Sequence, residues 1–195
     1  MRYLAFHKPY EVLCQFTDRE AGRRTLKDYI PVQQVYAAGR LDFRSEGLLI
    51  LSDDGIFIQR LSDPMYNHPK IYLAEVEHIP VPEDLLRINT EIVLPGLQTR
   101  LARAELIPAP DLPPRPVPVR NYHPTAWLKI TLFEGKKHQV RRLTASIGHP
   151  TLRLVRVAIG SLTLGDLKPG EWRDLQPDEM AHAFQEAGLG RQRVK

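Results

Sequence analysis

Between Pro108 and Pro124 the chain carries seven of its 17 prolines, in the stretch PAPDLPPRPVPVRNYHP. Neither a helix nor a central strand can run through it. Each proline lacks a backbone N–H and fixes its own φ. Regular structure must therefore be assembled from the shorter elements on either side. The segment fits an interdomain linker and a long surface loop within a sheet equally well. Arg115 and Arg120 make it basic, which suits contact with RNA.

Upstream of it, Leu4–Phe6 reads as a strand broken by Pro9, which Val12–Phe16 can continue. AGRRTLKDYIP has helical spacing at Leu26, Tyr29 and Ile30 and is ended by Pro31. Val35–Ala38 and Leu48–Leu51 read as strands, the second buried on both faces. After the turn SDDG, the positions Ile56, Phe57, Arg60 and Leu61 predict a helix. KIYLAEVEHIP alternates, with Tyr72, Ala74 and Val76 on one face. PEDLLRI is a short helix with proline at its start, and Leu101–Ile107 another strand.

Downstream, AWLKITLFEG places Leu128, Ile130 and Leu132 on one strand face. KKHQVRRLTASIGHP predicts a helix with Val140, Leu143 and Ile147 buried and Arg141 at the edge of that stripe. LRLVRVAIG, SLTLGDL and GEWRDL follow as short strands. Met180–Phe184 is a terminal helix, and GRQRVK a frayed basic tail. There is no internal repeat. Strands dominate and helices lie between them, so the fold class is α+β with a mixed, mostly antiparallel sheet. With 195 residues the chain makes one large domain or two small ones. We expect a catalytic unit over 1–180 and a helix end plus tail over 181–195.

Lys plus Arg number 27 against 23 Asp plus Glu, a net charge of +4. This mild basic bias fits a nucleic-acid partner without proving one. The one cysteine, Cys14, excludes an internal disulfide and reads as a buried neutral thiol. No Cys/His spacing suits zinc, and there is no P-loop or dinucleotide glycine pattern, so no metal and no cofactor are expected. The N-terminus is interrupted too early for a signal peptide, and no apolar run approaches a membrane span. The expected compartment is the cytoplasm.

The stretch AAGRLDFRSEGLLILSDDG sets Arg40, Asp42, Arg44 and Glu46 directly before a buried apolar run. Charge beside a core is costly unless it is paired or used. Two other places concentrate polar groups beside strands: Lys70-Ile71-Tyr72, and His138 to Arg142. Singly, these are a surface turn, a half-buried strand tyrosine and a solvated basic helix face. In order, they are more specific. GRLD with SEGLLILS, then KIY, then FEGKKHQVRRL, then PGEWR, resembles the RsuA-type family of pseudouridine synthases, from about Tyr3 to Leu175. FTDREAGRRTLKDYIP, VYAAGRLD, PTAWLKITLFEG and HPTLRLVRVAIG are closer still to members that act on large-subunit RNA.

That resemblance implies a sheet with flanking helices and a central cleft. It implies isomerisation of a uridine in 23S rRNA near the peptidyl transferase centre, by a monomer without a preceding S4-type domain. The partner would be 23S rRNA or a large-subunit precursor. Asp42 would be the catalytic carboxylate, Tyr72 the ring against the target base, and Arg141 the basic partner of the aspartate. Arg40 would lie near the RNA backbone or the flipped nucleotide.

The chemistry suits these residue types. The bond from ribose C1′ to uracil N1 breaks, the base turns, and C5 takes the place of N1. A carboxylate can attack or deprotonate the sugar as the base departs. Partial burial opposes its ionisation, and a guanidinium restores it. Extruding the uridine costs a few kcal/mol, which an aromatic ring offsets by stacking. Arg40, Lys136, Lys137, Arg142, Arg153 and Arg156 are candidates for phosphate contacts, though each alone suits a solvated surface equally. Two other readings compete: a non-catalytic rRNA-binding or assembly protein, and a hydrolase using Asp42 and Glu46 as a carboxylate pair.

Overall fold

The computed structural model describes residues 1–20, 22–90, 102–119 and 122–189. In chain order the strands and helices are β1 (Tyr3–Lys8), β2 (Val12–Leu13), β3 (Arg24–Thr25), β4 (Tyr36–Ala37), β5 (Glu46–Ser52), α1 (Gly55–Ser62), β6 (Lys70–Glu77), α2 (Pro82–Asn89), β7 (Arg103–Ile107), β8 (Thr125–Leu132), α3 (Gln139–Ser146), β9 (Thr151–Ile159), β10 (Leu162–Thr163), β11 (Trp172–Asp174) and α4 (Pro177–Glu186). The main sheet runs β11-β1-β5-β9-β6-β8-β7, with β4 on β5 and β10 on β9. Its pairings are antiparallel except β5 with β9. The fold is thus α+β with a mostly antiparallel sheet.

The apolar run of β5 is explained by what covers it. Leu49 and Leu51 join Leu4, Phe6, Leu26 and Ile30 in one cluster. Leu48 and Ile50 join Tyr3, Ala5, Phe57, Phe184 and Val155 in another. Alternate residues thus face two cores, so the strand is apolar throughout. A third cluster packs Val140, Leu143 and Ile147 against Tyr72, Ala74, Val76, Leu128, Ile130 and Leu132. This sets α3 on the face of β6 and β8 that the alternation predicts.

Three boundaries differ from the sequence reading. Val12–Leu13 does not extend β1 but pairs in parallel with β3, because Pro9 and a left-handed Glu11 (φ 55°) turn the chain away. The helix expected around Leu26 is one 3-10 turn, Leu26–Asp28, closed by a capping box with Thr25. The terminal helix read from Met180 to Phe184 runs instead from Pro177 to Glu186 as α4. Ala183 and Phe184 of that helix are buried, Phe184 edge-on to Tyr3 and Phe57. Leu101, Arg120 and the GRQRVK tail lie outside the described residues. Among the described residues no helix is long and apolar enough to cross a membrane.

The proline-rich segment joins β7 to β8, which are hydrogen-bonded neighbours. It is therefore a loop within one sheet. Its anchor is Arg153. The Nη2 of Arg153 donates to Pro113 O at 2.7 Å, while Nε and Nη2 form a two-point ion pair with Glu46 at 3.0 and 2.9 Å. Glu46 and Arg153 are both buried. Arg153 is thus committed to the interior and does not present its charge to phosphates, contrary to the sequence expectation. Glu46 is equally committed, which removes it as the second carboxylate of a hydrolase. Replacing Glu46 by Ala leaves the guanidinium buried and uncompensated, and is expected to cost about 3–5 kcal/mol in urea unfolding. Wild-type stability in that variant would contradict the assigned role.

Candidate active site

The loop that follows β4 carries Asp42, and the chain pins it on both sides. Gly39 turns it with φ +80°, a conformation L side chains rarely adopt. The Leu41 N–H donates to Cys14 Sγ at 3.2 Å, and the Cys14 thiol donates back to Leu41 O at 3.4 Å. Burial raises the thiol's pKa, so Cys14 serves as a neutral tether. The Ser45 N–H closes the turn on Asp42 O at 3.0 Å. Phe43 O accepts from the Glu11 N–H and from Lys8 Nζ, at 2.9 and 3.4 Å. The Lys8 ammonium also donates to Pro9 O and Val12 O, and burial pushes its pKa down to about 8. In the sequence Lys8 is no more than an interruption of an apolar start.

Across from this loop stands the turn from β8 into α3. Gln139 Nε2 donates to Glu134 Oε1 at 2.7 Å, and Gln139 Oε1 accepts from the Lys136 N–H at 3.1 Å. This buried brace shapes a turn whose last residue, His138, is left-handed (φ 54°). His138 Nε2 comes within 3.6 Å of Asp42 Oδ1. The histidine belongs to the HQVRR wording, but nothing in its spacing shows that it meets the aspartate.

Between the two loops lies a cavity of about 110 Å³. Asp42, Arg40, Tyr72, Lys70, Arg156, Lys136 and His138 are among its lining residues. It is smaller than the ~300–1,000 Å³ typical for drug-sized ligands. One flat ring suits it, with the rest of a polymer outside. Tyr72 is buried on the same β6 face that packs on α3, in register with Ile130 of β8 and Arg156 of β9. An open groove of about 620 Å³ continues over Asp42 and is lined by Arg40, Lys136 and Lys137. All three side chains are exposed. The structure thus brings Asp42, Tyr72, Arg40, Lys136 and Lys137 together.

Arg141 departs from expectation. Its Nη1 donates to Thr151 O at 3.1 Å and its Nη2 to Arg44 O at 2.9 Å, rather than to Asp42. Burial lowers its pKa, and the nearby Asp42 carboxylate acts in the opposite direction. It lines a second groove with Tyr10, Arg44 and Arg115, whose guanidinium sits 4.5 Å above the Tyr10 ring. The reason is reach. From the edge of α3, the side chain meets two backbone carbonyls first. Arg142 is half-buried on α3 and lines neither the cavity nor these two grooves. Arg156, expected on the surface, is 2% exposed on the cavity wall, its Nε bound to Leu48 O.

Residues 2–146 match the family model described as RNA pseudouridylate synthase. The chain is 49% identical over 177 residues to the ribosomal large subunit pseudouridine synthase E of Vibrio parahaemolyticus, covering 90% of this chain and 74% of that one. It is 50% identical over 171 residues to the protein of the same name from Xanthomonas campestris, covering 86% and 91%. A crystal structure of a pseudouridylate synthase superposes with a TM-score of 0.78 at 26% identity, over 93% of this chain and 73% of that one. The two loops that face each other across the cavity both lie within the matched residues. Sequence and fold agree over most of the chain, which belongs to the RNA pseudouridylate synthase family.

Proposed function

We propose that this chain converts a uridine of 23S rRNA, near the peptidyl transferase centre, to pseudouridine, with Asp42 as the catalytic carboxylate. The observation that carries this reading is the meeting of Asp42 and Tyr72, from two distant segments, on the wall of one ring-sized cavity. The names of the relatives supply the substrate class, large-subunit RNA. A non-catalytic RNA-binding protein gains nothing from a carboxylate facing phosphates. The site is built from one chain, so a monomer suffices. An rRNA substrate fits a cytoplasmic reaction.

In this mechanism the target uridine leaves its stack and enters between the two loops. Arg40, Lys136 and Lys137 hold the flanking phosphates along the open groove. Tyr72 lies against the base. Asp42 either bonds to C1′ or removes a sugar proton as the C1′–N1 bond breaks.

Mapping pseudouridines in 23S rRNA from cells lacking this protein tests the reading. One position near the peptidyl transferase centre should revert to uridine, and the purified protein should restore it. An unchanged map would refute the assignment. Tyr72→Phe is expected to retain RNA binding and the fold while slowing turnover about 10²-fold if the hydroxyl moves a proton. Full turnover in that variant would leave Tyr72 with stacking alone.

A further inference from the structure

Two buried cations remain once Asp42 and Tyr72 have been given their roles. Lys70 and Arg156 line the same cavity and are 6% and 2% exposed. Neither Lys70 Nζ nor Arg156 Nη2 has a hydrogen-bond partner. Arg156 is in register with Tyr72 across β6 and β9, and Lys70 stands two residues before Tyr72 on β6. Here β9 carries one residue more than β6, a bulge of the kind that re-aims side chains beside a site. The three side chains thereby share one wall. Gly135 lies over the Lys70 stem. Burial and the neighbouring Arg156 push Lys70 down to about 8, while Glu134 acts the other way. Glu134 itself is engaged by Gln139 and Lys136. Unpartnered buried donors of like charge weaken a fold, so they call for an acceptor that arrives later.

We propose that Lys70 and Arg156 form an anion hole for the uracil ring while it is detached from the ribose. The proposal rests on the function proposed above. When C1′–N1 breaks, its electron pair stays with N1. The ring becomes an anion whose charge spreads over N1, O2 and O4. The sugar is held meanwhile as an ester of Asp42 or, after Asp42 takes the C2′ proton, as a glycal that regains that proton before rebonding. The C5 electron pair then bonds to C1′, in the ester route as the C1′–O bond to Asp42 breaks and the carboxylate leaves; the C5 proton leaves and N1 gains one, so no atom is added or lost. Uridine and pseudouridine are neutral. Only the detached ring carries the full negative charge, so the two cations stabilise the intermediate more than either end state. A half-turn about the N3···C6 line exchanges N1 with C5 and O2 with O4. A donor pair that meets both oxygens before the turn therefore meets them again after it.

The test compares wild type, Lys70→Met and Lys70→Arg in single turnovers on an RNA oligonucleotide bearing the mapped uridine, with RNA Kd and Tm measured alongside. Lys70→Met is expected to slow the reaction about 10²–10³-fold, as loss of one oxyanion-hole donor does. Its Kd should stay within about threefold, and Lys70→Arg should recover at least about tenfold of the rate. Tm at pH 7 should be equal to or above that of wild type. The folded-state pKa is depressed, so the cost of the buried ammonium is complete below pH 8 and fades as pH rises toward 10.5. The Tm advantage of Lys70→Met should shrink over that window, with Arg156, Glu134 and His68 the charged or titratable neighbours. Wild-type turnover in Lys70→Met overturns the anion hole, as does a slow rate accompanied by a lower Tm or by weaker binding. If wild type itself leaves the uridine unmodified, the proposed function falls instead.

Discussion

Asp42→Asn is expected to abolish pseudouridine formation, lowering the single-turnover rate by at least about 10⁴-fold, the scale seen when a nucleophile is removed. The amide has the size and shape of the carboxylate, so the cavity should keep its form. The loop does not depend on the Asp42 side chain for its position. Leu41 is held by Cys14, Phe43 by Lys8 and Glu11, and the turn is closed through the Asp42 backbone carbonyl. The lost property is the anion. A neutral amide neither bonds to C1′ nor takes a proton from the sugar. The 3.6 Å approach of His138 would lose its electrostatic part. RNA Kd should change by no more than about threefold, because the proposed mechanism gives the phosphates to Arg40, Lys136 and Lys137, which line the open groove. Measurable turnover in Asp42→Asn would end the proposed role of this residue. Loss of RNA binding in Asp42→Asn, with no turnover by the wild-type protein either, would favour the non-catalytic reading.

Gly47→Ala should destabilise the fold severely. Gly47 sits where β5 runs parallel to β9, opposite Arg156, with φ +105°. A Cβ there would fall 2.2 Å from Arg156 O and 2.6 Å from Arg156 N. Both are backbone atoms, so no side chain can move aside. The two strands must separate, and their junction holds the halves of the main sheet together. Overpacking costs about 1–3 kcal/mol, and a non-glycine residue held in a sparsely populated backbone region about 1–3 more. Against a usual stability of about 5–15 kcal/mol, a loss of this size leaves little margin. Little folded protein is expected at 37 °C, and circular dichroism with urea should show a much lower midpoint. Because Arg156 also lines the cavity, residual protein should be slow as well. A wild-type midpoint would mean that β5 and β9 lie farther apart than described.

Most of the strands were legible because alternation is a local property. Tyr72, Ala74 and Val76 share one face of their strand, and Leu128, Ile130 and Leu132 one face of theirs, whatever the sheet order turns out to be. The helix stripe of Val140, Leu143 and Ile147 is local in the same way. The GRLD, KIY and HQVRR wordings located the cavity. What failed was direction over distance. Arg153 and Arg156 are three residues apart on β9, and both looked like surface cations. One ends on Glu46 and Pro113, the other on the cavity wall. Arg141 was expected on Asp42 but meets the carbonyls of Thr151 and Arg44. His138, with no assigned partner, is the residue whose ring approaches the carboxylate. Lys8 and Cys14 gave no sign of tethering the aspartate loop, since their partners are backbone atoms brought in from about thirty residues away.

The amino-acid order alone determined which segments extend and which coil, that a carboxylate precedes a buried strand, and which family the chain resembles. These follow from side-chain polarity at short spacing and from wording. Only the tertiary structure decided that β5 lies parallel to β9, that the proline-rich segment is a loop of one sheet, and which long cations turn inward. The reason is physical. An arginine or lysine side chain spans several bonds and ends on whichever acceptor the fold brings near, and that acceptor belongs to a segment far away in sequence.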